Sequence, residues 1–165
     1  MYNDHPMPET VYIETTIPSA YVSRRKDPAS LYRRDVTRDW WHRWRQAYDV
    51  RCSQAVLAEL RGGRYPGRTQ AIRLVRSLPL LEITDEILAV AEAYIRHHLM
   101  PAAVSGDALH MALASVYEID YLLTWNIHHL ANPNKIDHMT TINRRLGLLT
   151  PAVITPEGLW REDQT

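Results

Sequence analysis

The sequence predicts an α/β domain with a mainly parallel sheet. Short runs of β-branched, aliphatic or aromatic residues alternate along the chain with longer segments in which apolar residues recur every three or four positions. One short run, residues 121–125, is mostly apolar, as is typical of a strand that a parallel sheet buries on both faces. Strands that alternate with helices in this way are typical of the α/β class.

Length and composition indicate one globular domain. The chain has 165 residues, of which 45% are hydrophobic and 23% charged, and these values exclude a disordered or collagen-like chain. We predict a polar tail at residues 1–10, a single domain over residues 11–160 and a short tail at residues 161–165. The one cysteine, Cys52, excludes an internal disulfide and an all-cysteine zinc site. Because the sequence has neither a signal-peptide pattern nor an apolar run near the ~20 residues of a membrane helix, we expect a cytoplasmic protein without membrane contact.

The first half of the chain is predicted to hold one strand and three helices. Residues 11–15 form a β-branched and aromatic run, and Pro18 suits the start of a short helix after it. Asp27, followed by a proline, starts a second helix that we extend to Asp49, because bulky residues recur every four positions. These bulky residues are Tyr32, Val36, Trp40, Trp44 and Tyr48. Ser53 is predicted to cap the third helix, which the glycines at 62–63 end.

The second half is predicted to contribute three strands and four helices. After a helix at residues 71–78, strands follow at 80–83, 121–125 and 152–154. Thr84 caps a helix that Met100–Pro101 ends, residues 105–107 open another, and the last helix runs from about residue 135 to 147 after a break at Asn132–Pro133. Sites in parallel sheets form beyond the carboxyl ends of strands, where Glu14 and Asn126 both lie.

The balanced net charge conceals an asymmetry along the chain. The 19 basic and 19 acidic residues cancel, which argues against a protein that coats DNA, but 17 of the basic residues are arginine. Residues 24–51 carry nine basic and four acidic residues, whereas residues 82–120 carry seven acidic residues and one arginine. Since arginine pairs with phosphate through two hydrogen bonds, the basic segment is a candidate polyanion-binding surface and the acidic one a candidate cation-binding surface. The alternative is a solvated helix face.

Three acidic residues lie among apolar neighbours or at element ends. Glu14 ends the first strand, Glu59 lies in an apolar, alanine-rich helical turn, and Asp107 lies in the first turn of a helix. Buried carboxylates are rare unless they are paired or bound to a metal. Carboxylate oxygens suit Mg²⁺, which can activate water for attack on a phosphodiester. The alternative is that the three acids are unrelated.

Histidines supply a second metal hypothesis, a zinc site. The candidates are His97, His98, His110, His128 and His129. Adjacent histidines point in different directions on a helix or strand and are poor co-ligands, so we expect surface histidines here. Asp107 and His110 do share a helix face at the spacing i, i+3.

Four motifs carry a resemblance to a known family. They are the segments 13–16 (IETT), 56–60 (VLAEL), 106–114 (GDALHMALA) and 121–126 (YLLTWN). In this order they resemble the PIN domain, the fold of VapC-type toxin ribonucleases. The resemblance covers residues from about 11 to 160 and is most specific in the last two motifs.

The resemblance implies a three-layer α/β/α sandwich around a central, mainly parallel sheet. It implies that Glu14, Glu59 and Asp107, with Asn126 at the fourth position, bind Mg²⁺ or Mn²⁺ and carry catalysis. The implied activity is cleavage of RNA phosphodiester bonds, as the toxin of a type II toxin–antitoxin pair. The implied partners are an RNA substrate, an antitoxin protein and a second copy of the chain.

Two further expectations concern the basic segment, which lies where the family varies. Arg33, Arg34 and Arg38 are candidate RNA-binding residues on the helix predicted for residues 27–49. The aromatic residues Trp40, Trp41 and Trp44 in the same segment favour a homodimer.

Two positions depart from the family pattern and keep other functions open. Glu14 stands where an aspartate is usual, and Asn126 stands where an acid is usual, which lowers the formal charge of the site by one. The first hypothesis is a metal-dependent endoribonuclease. The alternative is a non-catalytic PIN-like module that binds RNA or protein through a degenerate metal site. A third hypothesis is a histidine-metal hydrolase of another fold.

Overall fold

The computed structural model describes residues 6–97 and 105–161 of the chain, and within them five parallel strands form one sheet. The strands are β1 (Thr10–Ile13), β2 (Asp49–Ser53), β3 (Leu80–Leu81), β4 (Tyr121–Leu123) and β5 (Ala152–Ile154). Their order across the sheet is β3-β2-β1-β4-β5. The predicted α/β class with a parallel sheet is confirmed.

Eight α-helices surround this sheet in the described residues. They are α1 (Thr16–Val22), α2 (Pro28–Asp39), α3 (Gln54–Gly62), α4 (Arg68–Arg76), α5 (Asp85–Arg96), α6 (Ser105–Val116), α7 (Ile127–Leu130) and α8 (Pro133–Arg145). Helix α1 packs against α2 and α4, and α5 packs against α6. Because crossovers between parallel strands are right-handed, helices lie on both faces of the sheet and make a three-layer α/β/α fold, as expected.

The centre of the sheet is β1, which is covered on both faces. Val11, Tyr12 and Ile13 are completely buried although successive side chains of a strand point to opposite faces. This explains why the strand is a continuous apolar and aromatic run rather than an alternating one. The register pairs Val11 with Val50 on one side and with Tyr121 on the other.

The chain changes direction across the sheet at β1. From β1 it proceeds outward through β2 to β3, and it then returns to the other side of β1 for β4 and β5. The carboxyl ends of β1 and β4 are therefore neighbours with diverging connections. Such a switch point opens a crevice at the edge of a parallel sheet.

Three predicted helix starts are confirmed by side-chain caps. The oxygen of Asp27 accepts a hydrogen bond from Ser30 N at 3.1 Å, and Ser53 Oγ accepts one from Val56 N at 3.3 Å. Thr84 caps α5 in the same way. These caps satisfy backbone N–H groups that have no partner inside the helix.

The prediction of one helix from Asp27 to Asp49 is wrong beyond residue 39. Helix α2 ends at Asp39, and a π-helical turn (Trp40–Trp44) and a 3-10 turn (Arg45–Ala47) lead into β2. Strand β2 was not predicted, because its alternating apolar pattern is short. Its buried apolar residues are Val50 and Cys52, which lie beside β1. The aromatic residues recur every four positions although the segment is not one α-helix. The π-helical turn and the residue after the 3-10 turn place some of them against the core.

The tryptophans that favoured a homodimer lie mostly inside the chain. Trp40 is completely buried and Trp41 nearly so, and both belong to the hydrophobic core. These two residues lie between α2 and β2, whereas Trp44 is half-buried, and formation of a homodimer stays a prediction.

Some expectations fall on residues outside the described ranges. These are residues 1–5 and 162–165 of the predicted tails, the break at Met100–Pro101, and His98. Among the described residues, no helix has both the length and the apolar character required to cross a membrane.

Candidate functional site

Glu14 is held at the carboxyl end of β1 by the chain that follows β1 and β4. Its backbone N–H donates to the Leu123 carbonyl oxygen at 3.1 Å, which ties it to the end of β4. The side chain is 4% exposed, and its Oε2 accepts hydrogen bonds from Thr16 N (3.0 Å), Thr16 Oγ1 (2.5 Å) and Thr124 Oγ1 (2.8 Å). Three donors on one oxygen fix the orientation of the carboxylate.

Glu59 projects from α3 toward the same place. Its side chain is 38% exposed, Oε2 accepts from Thr15 Oγ1 at 2.6 Å, and Oε1 lies 2.7 Å from His110 Nε2. Partial burial acts to raise the pKa of Glu59, but the hydrogen bond and charge of His110 and the hydrogen bond from Thr15 outweigh it, so the pKa is lowered. Glu59 is therefore an ionised carboxylate at neutral pH.

His110 links Glu59 to a buried chain of hydrogen bonds. It is 1% exposed, its Nδ1 lies 2.6 Å from Tyr12 Oη, and that oxygen lies 2.8 Å from Ser53 Oγ. Burial first, and nearby negative charge second, raise the pKa of Tyr12, so the phenol keeps its proton. Since ionised Glu59 can only accept, His110 donates from Nε2 to Glu59, while its Nδ1 shares a hydrogen bond with the Tyr12 hydroxyl.

These side chains form a candidate metal centre. Ligand-type atoms of Glu14, Glu59 and His110 lie within 4.8 Å of one another, and in this arrangement His110 Nε2 is hydrogen-bonded to Glu59. Neither carboxylate forms an ion pair with lysine or arginine within the described ranges, so His110 beside Glu59 is the basic side chain that these acids contact there. Carboxylate oxygens are ligands for Mg²⁺ and Mn²⁺, and imidazole extends the choice to other transition metals. The donor set therefore fits a divalent cation.

Asp107 lies on α6, beside this centre but not among its three ligand groups. The residue is 7% exposed and precedes His110 by three positions in the same helix. A Cβ placed on the neighbouring Gly106 would stand 3.0 Å from Glu59 Oε1, so the first turn of α6 lies against the Glu59 carboxylate. The role of Asp107 as a third acidic ligand stays a prediction.

Asn126 lies at the carboxyl end of β4, and its side chain does not cap the following helix. It occupies the position before α7 but makes no side-chain capping bond, while its backbone N–H donates to Thr124 Oγ1 at 2.9 Å. It lines the same cleft as Glu14 and Glu59. Its placement at the rim of the acidic site is thus compatible with a ligand or a water-holding role.

The cleft above the carboxylates has a volume of about 420 Å³ and a partly basic wall. Arg33, one of the three candidate RNA-binding arginines, lines it and lies 5.8 Å from the ring centroid of Trp125. Arg34 instead pairs with Asp35 at 3.0 Å, and Arg38 donates from Nε to the Tyr21 carbonyl at 2.8 Å. Of these three arginines, Arg33 therefore lies at the site, whereas Arg34 and Arg38 contact other groups of the protein.

The sequence reasoning did not place His110 with the predicted acidic ligands, and it missed the buried contacts of His110 with Tyr12 and of Tyr12 with Ser53. The expectation of a surface histidine is wrong for His110, whereas His97, His128 and His129 are indeed exposed. Two signals could have found the buried chain: a histidine inside the apolar run 106–114, and a tyrosine at the middle of a strand buried on both faces. With a single histidine in the cluster, a zinc site built from several histidines does not form among the described residues.

No protein-family model matches the chain, and no curated protein is significantly similar to it. The resemblance to PIN domains stays an expectation drawn from the four sequence motifs.

Proposed function

We propose that this chain is a metal-dependent endoribonuclease that cleaves RNA phosphodiester bonds. The observation that carries the proposal is the convergence of Glu14, Glu59 and His110 at the switch point of the sheet, in a cleft that Arg33 also lines. Acids that gather cations and an arginine that binds phosphate are the two components that hydrolysis of a phosphodiester requires.

Each site residue has a distinct part in this proposal. Glu14 and Glu59 would hold Mg²⁺ or Mn²⁺, with Asp107 from the first turn of α6 and Asn126 from the end of β4 completing the set. When bound, such an ion makes water a stronger nucleophile and neutralises charge on the phosphate. His110 positions Glu59 through the 2.7 Å bond, and Tyr12 fixes the His110 ring from the buried side.

The family resemblance supports the biological setting that we propose. VapC-type toxins are RNA-cleaving proteins paired with an antitoxin, and we propose the same arrangement here, in the cytoplasm and with a second copy of the chain as a partner. The switch-point location of the site supports the activity independently of that resemblance, because it follows from the strand order.

The proposal is tested by cleavage of a labelled RNA with Mg²⁺ or Mn²⁺ and with EDTA. EDTA should abolish cleavage, and Glu59→Gln and Asp107→Asn should each lower the rate about tenfold or more, because each removes a ligand charge. Asp137→Asn, which neutralises an exposed acid on α8, is the matched control and should cleave as the wild type does. Cleavage that survives EDTA, or that is equal in all four proteins, would show that this site is not responsible.

A second candidate, a non-catalytic PIN-like module that binds RNA, is favoured by one observation. Glu14 Oε2 has three donors, and both oxygens of Glu59 are hydrogen-bonded, so the polar groups satisfy one another without a metal. This candidate predicts RNA binding that is equally strong with Mn²⁺ and with EDTA and no cleavage with either.

A further inference from the structure

We propose that four arginines beside the acidic cleft form a second part of the substrate site, which binds the phosphate backbone of single-stranded RNA. Arg24 contributes from the loop after α1, Arg64 from the loop after α3, and Arg68 and Arg73 from α4. We call this surface the arginine groove. The inference rests on the proposed ribonuclease function and extends its substrate contacts beyond the residues considered so far.

The arginine groove is built from a strongly basic stretch of sequence. No aspartate or glutamate occurs between Glu59 and Glu82, while this interval holds five arginines. They are Arg61, Arg64, Arg68, Arg73 and Arg76. A local excess of one charge sign in an otherwise neutral chain indicates a surface for a partner of the opposite sign.

The groove is a cavity of about 630 Å³ without an acidic side chain in its lining. Besides the arginines it is lined by Tyr65, Gly67, Thr69 and Gln70. All four arginines are exposed, and none of them forms an ion pair with a described residue. Arg68 Nη1 donates to the Gly63 carbonyl at 2.9 Å, which orients its guanidinium. Unpaired positive charges that share one cavity repel each other, and a polyanion relieves that repulsion.

A smaller cleft of about 370 Å³ connects the arginine groove to the acidic cleft. It shares Arg24 and Tyr65 with the arginine groove, and it shares Ser19, Ser23 and Arg25 with the cleft that contains Glu14 and Glu59. The connecting cleft therefore shares lining residues with both of its neighbours. A strand cleaved at the acids would continue along the arginines.

Gly67 sets the position of the groove. Its φ of +87° is in the left-handed region, and a Cβ at this position would stand 2.8 Å from Val22 Cβ. Only glycine allows the start of α4 to approach the end of α1 this closely. This approach brings Arg68 and Arg73 to the same cavity as Arg24.

The shape of the surface favours a single RNA strand as its occupant. Grooves that track a single strand combine basic groups for the backbone with an aromatic side chain on which bases stack. Tyr65 lines both the connecting cleft and the arginine groove and supplies such a surface. A phosphodiester chain is also the one ligand that both the cleavage chemistry and the arginines recognise.

The test measures binding of a fluorescein-labelled oligouridine of about 15 nucleotides by anisotropy, in EDTA and at several KCl concentrations. In the wild type, each phosphate contact with a single strand releases about 0.7 counterion on binding. The variant Arg64→Gln/Arg68→Gln/Arg73→Gln lacks three such contacts, so the slope of log K against log salt should become shallower by about 2. The control Arg96→Gln/Arg144→Gln/Arg145→Gln removes the same charge from exposed arginines that line none of the three cavities and should keep the wild-type slope.

The outcomes separate this inference from the proposed function, because EDTA removes catalysis from the binding assay. Equal slopes for the two triple variants would overturn the arginine groove even if the wild type cleaves RNA. A shallower slope for the groove variant alone would support it even if no cleavage is found. Equal affinity for a duplex RNA of the same length would overturn the assignment to a single strand.

Discussion

Glu59 is the residue at which the hydrogen bonds of the site meet. Thr15 and His110 each engage one of its carboxylate oxygens, and together they lower its pKa despite partial burial. The folded protein therefore releases the Glu59 proton at a lower pH than the unfolded chain does. Between those two pH values the unfolded state binds more protons, so stability rises with pH.

Glu59 should accordingly make folding sensitive to acid. As the pH falls from about 5 to about 3, across and below the ordinary glutamate pKa of ~4.3, the wild type should lose stability more steeply than Glu59→Gln. The glutamine keeps a carbonyl oxygen that accepts from His110 but has no proton to bind. Urea unfolding at a series of pH values gives the two slopes, with Glu92→Gln on α5 as a charge-matched control. Parallel profiles for wild type and Glu59→Gln would contradict the lowered pKa.

Site residues could be predicted from sequence when their position at an element end carried the information. Glu14 and Asn126 follow strands, and the structure puts both in one cleft with Glu59. His110 and Tyr12 could not be assigned in this way, because their polar atoms are satisfied by residues far away in the chain. Such pairings depend on the packing of three separate elements, which no local pattern specifies.

At the scale of elements, the contact between α1 and α4 depends on a single glycine. Gly67→Ala should destabilise the fold by about 1–3 kcal/mol, since alanine is strained at positive φ and its Cβ would press on Val22. Gly62→Ala is the matched control, because a Cβ there meets nothing within 4 Å and its φ is not positive. Urea unfolding of both variants measures the difference. A Gly67→Ala variant as stable as Gly62→Ala would show that α4 can shift without cost.

The elements that sequence predicts best are those with local stop and start signals. Asp27, Ser53 and Thr84 cap helices at the predicted positions because a capping bond involves residues only three apart. Strand β2 lacks such a signal, and its identity comes from pairing with β1 and with β3. The aromatic residues before β2 recur every four positions, which predicted one continuous α-helix to Asp49. The π-helical and 3-10 turns that precede β2 also allow these aromatic residues to pack against the core.

At the scale of the molecule, strand order brings the acids together. Glu14 follows β1 and Asn126 follows β4, strands that are separated by more than 100 residues but adjacent in the sheet. Glu59 and His110 come from helices α3 and α6, which contact each other. The site is therefore a property of the folded topology, and a ligand that binds there should stabilise the whole domain.

Thermal unfolding with Mn²⁺ tests this coupling between site and fold. An ion present at about 100 times its dissociation constant adds about 2.7 kcal/mol to stability, which for a domain of this size raises Tm by roughly 5–10 °C. Glu14→Gln and Glu59→Gln should show a smaller rise than the wild type, because each removes a charged ligand. Asp137→Asn, outside the site, should show the full rise.

Asn126→Asp extends the same measurement in the opposite direction. A carboxylate at the rim of the cleft attracts the ion, and after desolvation and repulsion by Glu14 and Glu59 we expect a net gain of about 1 kcal/mol, or roughly fivefold in affinity. At a fixed Mn²⁺ concentration this adds about 2–4 °C to the rise in Tm. Because aspartate caps a helix about as well as asparagine does, a capping role alone predicts the same rise for both proteins. An identical rise would remove Asn126 from the metal site, whereas a larger one would place the fourth ligand position at the end of β4.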